Sequence, residues 1–209
     1  IRTPLTSAYI ACASLVNADL SEQEKNSVWE IKRQLGRMEW LLNALLKIAR
    51  LDAGTVTFSR ETHSLQELAS QALLPLEIQI ELKNQNIRQE LNGTFCGDLS
   101  WTAEALGNIL KNCSEHTPEG GTIRLKGQEN PIYTELTVQD DGPGIAPEDL
   151  PHLFERFYRG KDTKTQSTGI GLALSRTILA RQNATLQARN RPQTGAEFIL
   201  RFYKTTPPA

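Results

Sequence analysis

Hydrophobic residues recur at helical spacing as far as Gly54, and this pattern predicts two successive helices. The apolar positions of the two helices are Leu5, Tyr9, Cys12 and Val16, then Val28, Ile31, Leu35, Met38, Leu42 and Leu45. Residues 17–21 predict the turn between the helices, and Gly54 predicts the end of the second helix. The spacing in the second helix alternates between three and four residues, which is typical of a heptad seam.

A single helical hairpin leaves part of this hydrophobic surface uncovered. Trp29, Trp40 and Leu41 add apolar area beyond what one neighbouring helix can bury. A second copy of the chain would cover it, so we predict a symmetric homodimer that forms a four-helix bundle. The alternative is a monomer whose seam packs on its own second domain.

The hydrophobic period changes after Gly54 and becomes a mixture of helical and strand spacing. The predicted strands lie at 56–58, 87–91, 122–126, 133–140, 184–190 and 197–203. A capping box from Ser64 to Glu67 predicts the start of a helix that runs to Leu82. Because helices and strands do not alternate as βαβ units, we predict the α+β class, an α/β sandwich with a mixed sheet covered by helices on one face.

Two domains follow from these patterns, a helical hairpin at 1–56 and a sandwich at 57–209. The formal net charge of -1 argues against a nucleic acid partner. Cys12, Cys96 and Cys113 lack metal-ligand spacing and indicate free thiols in a reducing compartment. The apolar stretch at 40–49 is too short to span a bilayer. We therefore expect a cytoplasmic piece that makes no membrane contact.

The sequence NILKN, here called the asparagine motif, places Asn108 and Asn112 four residues apart on a helix that Asp98 can cap. Both carboxamides project from one helix face. Their neutral oxygens suit a hard divalent cation that also binds triphosphate oxygens. We predict that Asn108 and Asn112 bind Mg²⁺ and act in catalysis. The alternative is a polar stripe on a solvated helix.

The sequence DDGPGI at 140–145, here called the first glycine motif, follows the predicted strand at 133–138. The carboxylate of Asp140 can accept a hydrogen bond from an exocyclic amine while glycine backbone lets a flat base approach. Adenine fits this acceptor, whereas guanine would leave a buried group unpaired at roughly 1–3 kcal/mol. The predicted nucleotide contacts are Asp140, Gly142, Gly144 and Ile145. The alternative is an ordinary acidic turn.

The sequence TGIGLAL at 168–174, here called the second glycine motif, begins an apolar helix at 172–179. Free backbone amides and the positive end of the helix dipole suit a polyphosphate at such a position. The predicted nucleotide contacts are Thr168, Gly169, Ile170, Gly171 and Leu172.

The segment LFERFYRGKDTKTQS at 153–167, here called the lid, combines aromatic residues with cations and has no apolar periodicity. We predict a mobile loop whose hydrophobic base docks and whose cations meet phosphates. Tyr158 and Arg159 are the predicted nucleotide contacts. The alternative is a solvated surface loop, which we favour for Lys161 and Lys164 individually.

Together these motifs resemble the sensor histidine kinases of two-component signalling. NILKN with HTPEGG resembles their N box, DDGPGI the first glycine box, LFERFYRG the F box, and STGIGLALSR the second glycine box. TGAEFILRF resembles the closing strand, and the opening IRTPLTS resembles the end of the phosphoacceptor box. The ordered matches cover nearly the whole chain.

The resemblance implies the GHKL sandwich shared with gyrase, the heat-shock 90 chaperones and mismatch-repair ATPases, with ATP and Mg²⁺ as cofactors. It implies transfer of the γ-phosphoryl group to a histidine of the hairpin, and then to an aspartate of a response regulator. The family's acceptor histidine would precede Ile1. Thr3 falls where a residue is implied to orient water for phosphatase action on the regulator. Its local alternative is a helix-start threonine before Pro4.

Two positions depart from the family pattern. Glu115 stands where many members carry a phosphate-binding lysine. We expect its side chain to turn to solvent or to help hold the metal, while His116 or Arg159 supplies the contact to phosphate. Ser167 stands where the second glycine box commonly opens with glycine, which would stiffen the lid hinge.

Two rival functions remain open. Hydrolytic relatives place a glutamate general base where this chain has Asn108, and a carboxamide takes no proton at neutral pH. Slow ATP turnover is therefore expected, unless Glu104 acts as the base of a GHKL-type ATPase. A non-catalytic dimeric scaffold that binds nucleotide is the second rival. The resemblance also implies a parent protein anchored in the bacterial cell membrane.

Overall fold

The computed structural model describes residues 2–16, 21–160 and 168–204. The chain divides into two compact units, Ile1–Ala49 and Arg50–Ala209. The first unit is helical, with α1 at Arg2–Val16 followed by α2, which spans Glu22–Asp52. None of the described helices combines the length with the hydrophobicity that a membrane crossing requires. The predicted domain boundary after residue 56 stays a prediction.

A reciprocal capping box begins α2. The backbone N–H of Ser21 donates to Oε2 of Glu24 at 2.8 Å, and the N–H of Glu24 donates to Oγ of Ser21 at 3.4 Å. Hydrogen bonds from Ser21 lower the pKa of the Glu24 carboxyl. The sequence contains this signal in Ser21 and Glu24, but the hydrophobic pattern alone did not reveal it. The predicted turn before Ser21, at 17–20, lies outside the described residues.

The described part of the second unit contains seven strands and four helices. The strands are β1 Glu61–Ser64, β2 Asn86–Leu91, β3 Thr94–Gly97, β4 Thr122–Glu129, β5 Tyr133–Gln139, β6 Ala184–Asn190 and β7 Ala196–Tyr203. The helices are α3 Leu65–Leu73, α4 Glu77–Leu82, α5 Leu99–His116 and α6 Gly171–Ala180.

The predicted strand at 56–58 is wrong, because this segment is irregular and β1 begins only at Glu61. Side chains hold the segment in place of a strand ladder. Phe58 packs edge-on against Trp101 with ring centroids 5.7 Å apart. The N–H of Ser59 donates to the Asp98 carboxylate at 3.2 Å.

The predicted helix from Ser64 to Leu82 is interrupted by a 3-10 turn at Leu74–Leu76. Pro75 lies in this turn and lacks the N–H that a continuous helix needs. The capping box prediction is confirmed at Ser64, whose Oγ accepts from the N–H of Glu67. Strand β3 was not predicted, and it pairs antiparallel with β1 in a separate two-stranded sheet.

The main sheet has five strands in the order β2-β4-β5-β7-β6. Strand β2 runs parallel to β4, and the remaining pairs are antiparallel. One face buries an apolar layer of Ile123, Leu125, Leu136, Val138, Phe198 and Leu200. The opposite face carries ion pairs, such as Arg201 with Glu135 at 2.6 Å. The predicted mixed sheet layered with helices is confirmed.

Helix α5 packs against both α3 and α6. The hydroxyl of Ser175 on α6 donates to the carbonyl of Ala105 on α5 at 2.9 Å. The two helices are therefore joined by a buried hydrogen bond, which sets the distance between the asparagine motif and the second glycine motif.

Candidate functional site

The asparagine motif lies in the middle and last turns of α5. Asp98 caps this helix by accepting a hydrogen bond from the N–H of Trp101 at 3.1 Å, as the sequence predicted. Among the buried side-chain nitrogen and oxygen atoms of the described residues, Nδ2 of Asn108 is the one without a hydrogen-bond partner. A buried polar atom without a partner is unusual in a folded protein. It marks this carboxamide as a group that a ligand can satisfy.

The first residue of α6 faces that carboxamide. A Cβ placed on Gly171 would lie 3.6 Å from Oδ1 of Asn108, in ordinary van der Waals contact. The N-cap residue of α6 is Ile170, and its side chain makes no hydrogen bond to the first amides of the helix. The asparagine motif and the second glycine motif therefore meet at the start of a helix that lacks a side-chain cap.

Gly169 connects the second glycine motif to the described base of the lid. Its φ is +67°, and a Cβ there would lie 2.4 Å from the carbonyl oxygen of Tyr158. The carbonyl of Gly169 accepts a hydrogen bond from the N–H of Phe157 at 2.9 Å. Only glycine fits both the conformation and the close approach.

Asp140 is buried at the end of β5, with 3% of its surface exposed. Its Oδ1 accepts hydrogen bonds from the N–H of Gly142 at 2.9 Å and the N–H of Ala196 at 3.1 Å. Because Oδ1 already accepts two main-chain bonds, the remaining acceptor capacity of the carboxylate lies mainly on Oδ2. The position is thus prepared to accept one further hydrogen bond.

Gly142 allows the first glycine motif to touch the end of α5. A Cβ at this position would lie 2.9 Å from the carbonyl oxygen of His116 and from Oδ1 of Asp140. A side chain would push these groups apart. The first glycine motif therefore touches the end of α5, one helical turn beyond the asparagine motif.

The neighbouring carboxylate, Asp141, has a different environment. Arg124 and Arg191 form ion pairs with it at 2.6 and 3.1 Å, and the N–H of Thr122 donates to it at 3.1 Å. Burial favours the neutral acid, but the hydrogen bonds from both arginines outweigh it and lower the pKa of Asp141. Asp141 is already fully engaged, whereas Asp140 retains acceptor capacity.

Three side chains from the end of β6 and the β6–β7 connection hold the first glycine motif in place. Asn190 accepts from the N–H of Ile145 and donates to its carbonyl, both at 2.7 Å. Thr194 donates to the carbonyl of Gly142 at 2.8 Å. Arg191 also donates to the main chain of the motif. Sequence reasoning missed these residues because their contacts arise from the pairing of β5 with β7, which no local pattern specifies.

Cys113 lies on α5 beside Asp140 and is fully buried. Burial raises the pKa of its thiol well above the ordinary value, and the charge of Asp140 raises it further while accepting the thiol's hydrogen bond. Cys113 therefore remains a neutral thiol at neutral pH.

The described part of the lid is anchored by polar contacts. The hydroxyl of Tyr158 donates to Oδ1 of Asp149 at 2.7 Å, and this bond raises the pKa of Tyr158. Arg176 of α6 lies over the ring of Phe154, 5.6 Å from its centroid. Arg159 is exposed at the end of this segment. The predicted positions Lys161, Lys164 and Ser167 lie outside the described residues.

The other predicted positions are distributed as follows. Glu115 lies on α5 with 23% of its side chain exposed, and its Oε1 is 4.0 Å from the ammonium of Lys111. Asn112 and Glu104 are half-buried on the same helix. Thr3 lies in the first turn of α1, in the other unit. The roles assigned to individual site residues from the sequence stay predictions.

Three features come together in this sandwich: the helix that carries Asn108, the turn that carries Asp140, and the helix that begins at Gly171. Together they define a class of ATP-binding catalytic domain. Residues 97–206 match the family described as Histidine kinase-, DNA gyrase B-, and HSP90-like ATPase. The chain belongs to this family, and the predicted relationship to sensor histidine kinases is confirmed.

Sensor histidine kinases are similar to the chain over almost its whole length. Sensor-like histidine kinase SenX3 of Mycobacterium tuberculosis (strain ATCC 25618 / H37Rv) is 26% identical over 96% of the chain and 50% of its own length. Phosphate regulon sensor protein PhoR of Pseudomonas aeruginosa is 30% identical over 97% of the chain and 47% of its own length. The chain thus spans about half the length of these relatives.

Solved structures have the same fold. Full-length ShkA, crystallised with AMPPNP, superposes with a TM-score of 0.80 at 24% identity, covering 98% of this chain and 44% of ShkA. The catalytic domain of histidine kinase ThkA superposes with a TM-score of 0.63 at 26% identity, covering 70% of this chain and 96% of that domain. The likeness to ShkA supports the fold alone.

Proposed function

We propose that the chain binds ATP with Mg²⁺ and is the catalytic fragment of a sensor histidine kinase. It transfers the γ-phosphoryl group to a histidine on the helical hairpin, and a response regulator aspartate then receives the group. Removal of phosphate from the regulator, with Thr3 orienting water, is part of the proposal. The observation that carries it is the buried side-chain Nδ2 of Asn108 on α5, which has no hydrogen-bond partner and belongs to a carboxamide that faces the first residue of α6.

The residues present fit a magnesium ion. Mg²⁺ is usually bound by one or two protein oxygens together with substrate phosphates, and not by a complete protein cage. The described residues contain no group of three His, Cys, Asp or Glu side chains that could hold a metal. Asn108 and Asn112 would hold the ion through their carboxamide oxygens. When bound, Mg²⁺ neutralises negative charge on the phosphates.

The carboxamide of Asn108 suits this role in either orientation. Rotation by 180° exchanges its oxygen and nitrogen with little change of shape. The unpaired position can therefore donate to a phosphate oxygen or, after rotation, offer an oxygen to the ion. The amides at Gly171 and Leu172 lie at the adjoining helix start, where they would bind phosphate oxygens.

Asp140 would recognise the adenine amino group. Its carboxylate is buried, and Oδ2 keeps acceptor capacity after Oδ1 has taken two main-chain bonds. A base that presents an oxygen at the same position would face this carboxylate without a hydrogen bond. The expected discrimination is roughly 1–3 kcal/mol.

The hairpin is proposed to dimerise, because it exposes large apolar side chains to solvent. Trp29, Ile31 and Met38 are each more than half exposed, at 54%, 51% and 55%. A dimer would bury them and form the bundle that presents the acceptor histidine. We further propose that the parent protein is anchored in the bacterial cell membrane, with this fragment on the cytoplasmic side.

Titration calorimetry of the 209-residue chain with ATP and Mg²⁺ tests the nucleotide site. Asp140→Asn replaces one of the acceptors that the adenine amine needs, so affinity should fall on the order of a hundredfold or more. Glu90→Gln, which neutralises an exposed strand carboxylate, is the matched control and should bind as the wild type does. Unchanged affinity in Asp140→Asn would remove Asp140 from the adenine site.

Phosphotransfer is tested with a form of the protein that is extended before Ile1 by the family's acceptor histidine and the acidic residue that follows it. Incubation with γ-labelled ATP should give acid-labile, base-stable phosphate, which is the signature of phosphohistidine. A dimer that binds ATP but stays unlabelled would favour the scaffold. Rapid ATP hydrolysis that disappears in Glu104→Gln would favour the ATPase.

A further inference from the structure

We propose that Arg191 is a positioning residue for adenine recognition and acts through the turn that carries Asp140. This inference rests on the proposed nucleotide site. Arg191 does not need to touch the base. It holds the main chain of Asp140 and the side chain of Asp141 in one arrangement, and thereby fixes the direction of the recognising carboxylate.

A single nitrogen of Arg191 makes both contacts. Its Nη1 donates to the carbonyl oxygen of Asp140 at 2.7 Å and to Oδ1 of Asp141 at 3.1 Å. The guanidinium is thus bonded to two consecutive residues at the point where β5 ends and the first glycine motif begins. A charged donor at these distances makes stronger bonds than a neutral one.

Asp141 ties this arrangement to the neighbouring strand. Arg124 of β4 donates to Asp141 at 2.6 Å, and the N–H of Thr122 donates to it at 3.1 Å. Arg191, Arg124 and Asp141 leave only 21%, 28% and 28% of their side chains exposed. Partial burial reduces screening by water, so this network exceeds an ordinary surface ion pair in strength.

The other two side chains at the β6–β7 connection hold different residues of the first glycine motif. Asn190 fixes Ile145, and Thr194 fixes the carbonyl of Gly142. Arg191 alone among these three side chains reaches the residue that carries the recognising carboxylate. Without it, the Asp140 carbonyl loses a charged donor and Asp141 loses one of two cations. Gly142 and Ala196 still donate to Oδ1, but the main chain of Asp140 is held less firmly, and the carboxylate is then directed less accurately at the base edge.

The test compares the affinities for ATP and for inosine triphosphate, which carries an oxygen in place of the amino group at C6. Calorimetry with Mg²⁺ on the 209-residue chain gives both dissociation constants for the wild type and for Arg191→Met. We expect the wild type to prefer ATP by on the order of tenfold to a hundredfold. In Arg191→Met the ratio should fall towards one, mainly through weaker ATP binding.

Two further variants separate positioning from a general loss of structure. Arg191→Lys retains one cationic nitrogen that can reach the same two acceptors, so it should restore part of the ATP preference. Arg60→Met removes an exposed arginine of the irregular segment before β1 and should leave both affinities unchanged. Thermal melting of each variant reports whether the sandwich remains folded.

The outcomes are distinct. If Arg191→Met is folded and weakens ATP and inosine triphosphate by the same factor, Arg191 is merely structural and the inference is wrong. A wild-type preference for ATP that survives unchanged in Arg191→Met also overturns the inference, but it leaves the proposed function standing. If the folded wild type binds neither nucleotide, the proposed function fails together with this inference.

Discussion

The sandwich and the helical hairpin differ in how far each covers its own hydrophobic residues. In the sandwich, Leu106, Leu136 and Phe198 have no exposed surface. In the hairpin, Trp29 and Met38 have more than half of their surface exposed, although they lie on a helix with clear apolar periodicity. The sandwich therefore closes its core with its own chain, although Ile78 and Leu82 of α4 are also exposed, and we propose that a second copy covers the hairpin seam.

This difference shows what hydrophobic periodicity does and does not specify. A seam at heptad spacing specifies that a helix will pack, but not what it will pack against. The partners of the sheet lie within the same unit, because each strand pairs with a neighbouring strand and the helices cover one face. Stability of the hairpin should consequently depend on protein concentration, while that of the sandwich should not.

The largest effect is expected from a cavity in the sandwich. Leu106→Ala removes a fully buried side chain from α5 and should lower the free energy of unfolding of the sandwich by about 2–5 kcal/mol. Urea denaturation followed by tryptophan fluorescence measures this change, and it should be the same at all protein concentrations.

Leu82→Ala is the matched control because it makes the same chemical change at a side chain that is 78% exposed. It should alter the free energy of unfolding by less than about 0.5 kcal/mol. Equal losses in the two variants would mean that α4 is covered in solution, and the contrast between the two units would then be weaker.

Much of the sandwich could be predicted from the sequence. The strands at 122–126 and 184–190 and the capped helix after Asp98 have strong local signals, and all three are present. The failures have a common cause. β3 is short and partly exposed, and the irregular segment at 56–58 is held by Trp101 and other groups distant in sequence. Long-range contacts of this kind produce no hydrophobic periodicity in the local sequence.

The site was predictable to a similar extent. The sequence identified Asp140, Asn108 and Gly171 as chemistry-bearing positions, and the structure brings their three motifs together. The sequence named Asp140 as the base acceptor, which stays a prediction, but it gave no indication of what Asp141 binds. Arg124 and Arg191 engage Asp141 and leave Asp140 available, and this depends on the pairing of β4, β5 and β7.

The second largest effect is expected at the hairpin seam. Ile31→Glu places a charge on an exposed seam position and should weaken dimerisation by at least about tenfold, because burying an unpaired carboxylate is costly. Sedimentation velocity over a concentration series measures the dimer constant. Asn26→Glu adds the same charge at an exposed polar position of α2 and should have little effect. Calorimetry should find ATP affinity retained in both variants.

A smaller effect is expected at Asn108 in the sandwich, whose buried Nδ2 has no hydrogen-bond partner. Asn108→Leu removes a buried unsatisfied donor at similar side-chain volume, so the ligand-free sandwich should gain about 1 kcal/mol. The variant should also lose affinity for ATP with Mg²⁺. Thermal melting should therefore rank the variant above the wild type without ligand and below it with excess ATP and Mg²⁺. A variant that melts lower in both conditions would assign Asn108 to the core instead of the site.

The smallest effect is expected on the free energy of unfolding of the sandwich as the pH falls, and it arises from Asp141. Its pKa in the folded state is lowered, so its contribution is present above the unfolded value of about 3.9 and is lost as the pH falls through the lower folded value. Urea denaturation between pH 6 and pH 3 should show a steeper loss for the wild type than for Asp141→Asn. The hairpin has its own carboxylate of lowered pKa, Glu24, whose contribution should persist in Asp141→Asn. Parallel curves for the wild type and Asp141→Asn would show that Arg124 and Arg191 stabilise the turn without help from the charge of Asp141.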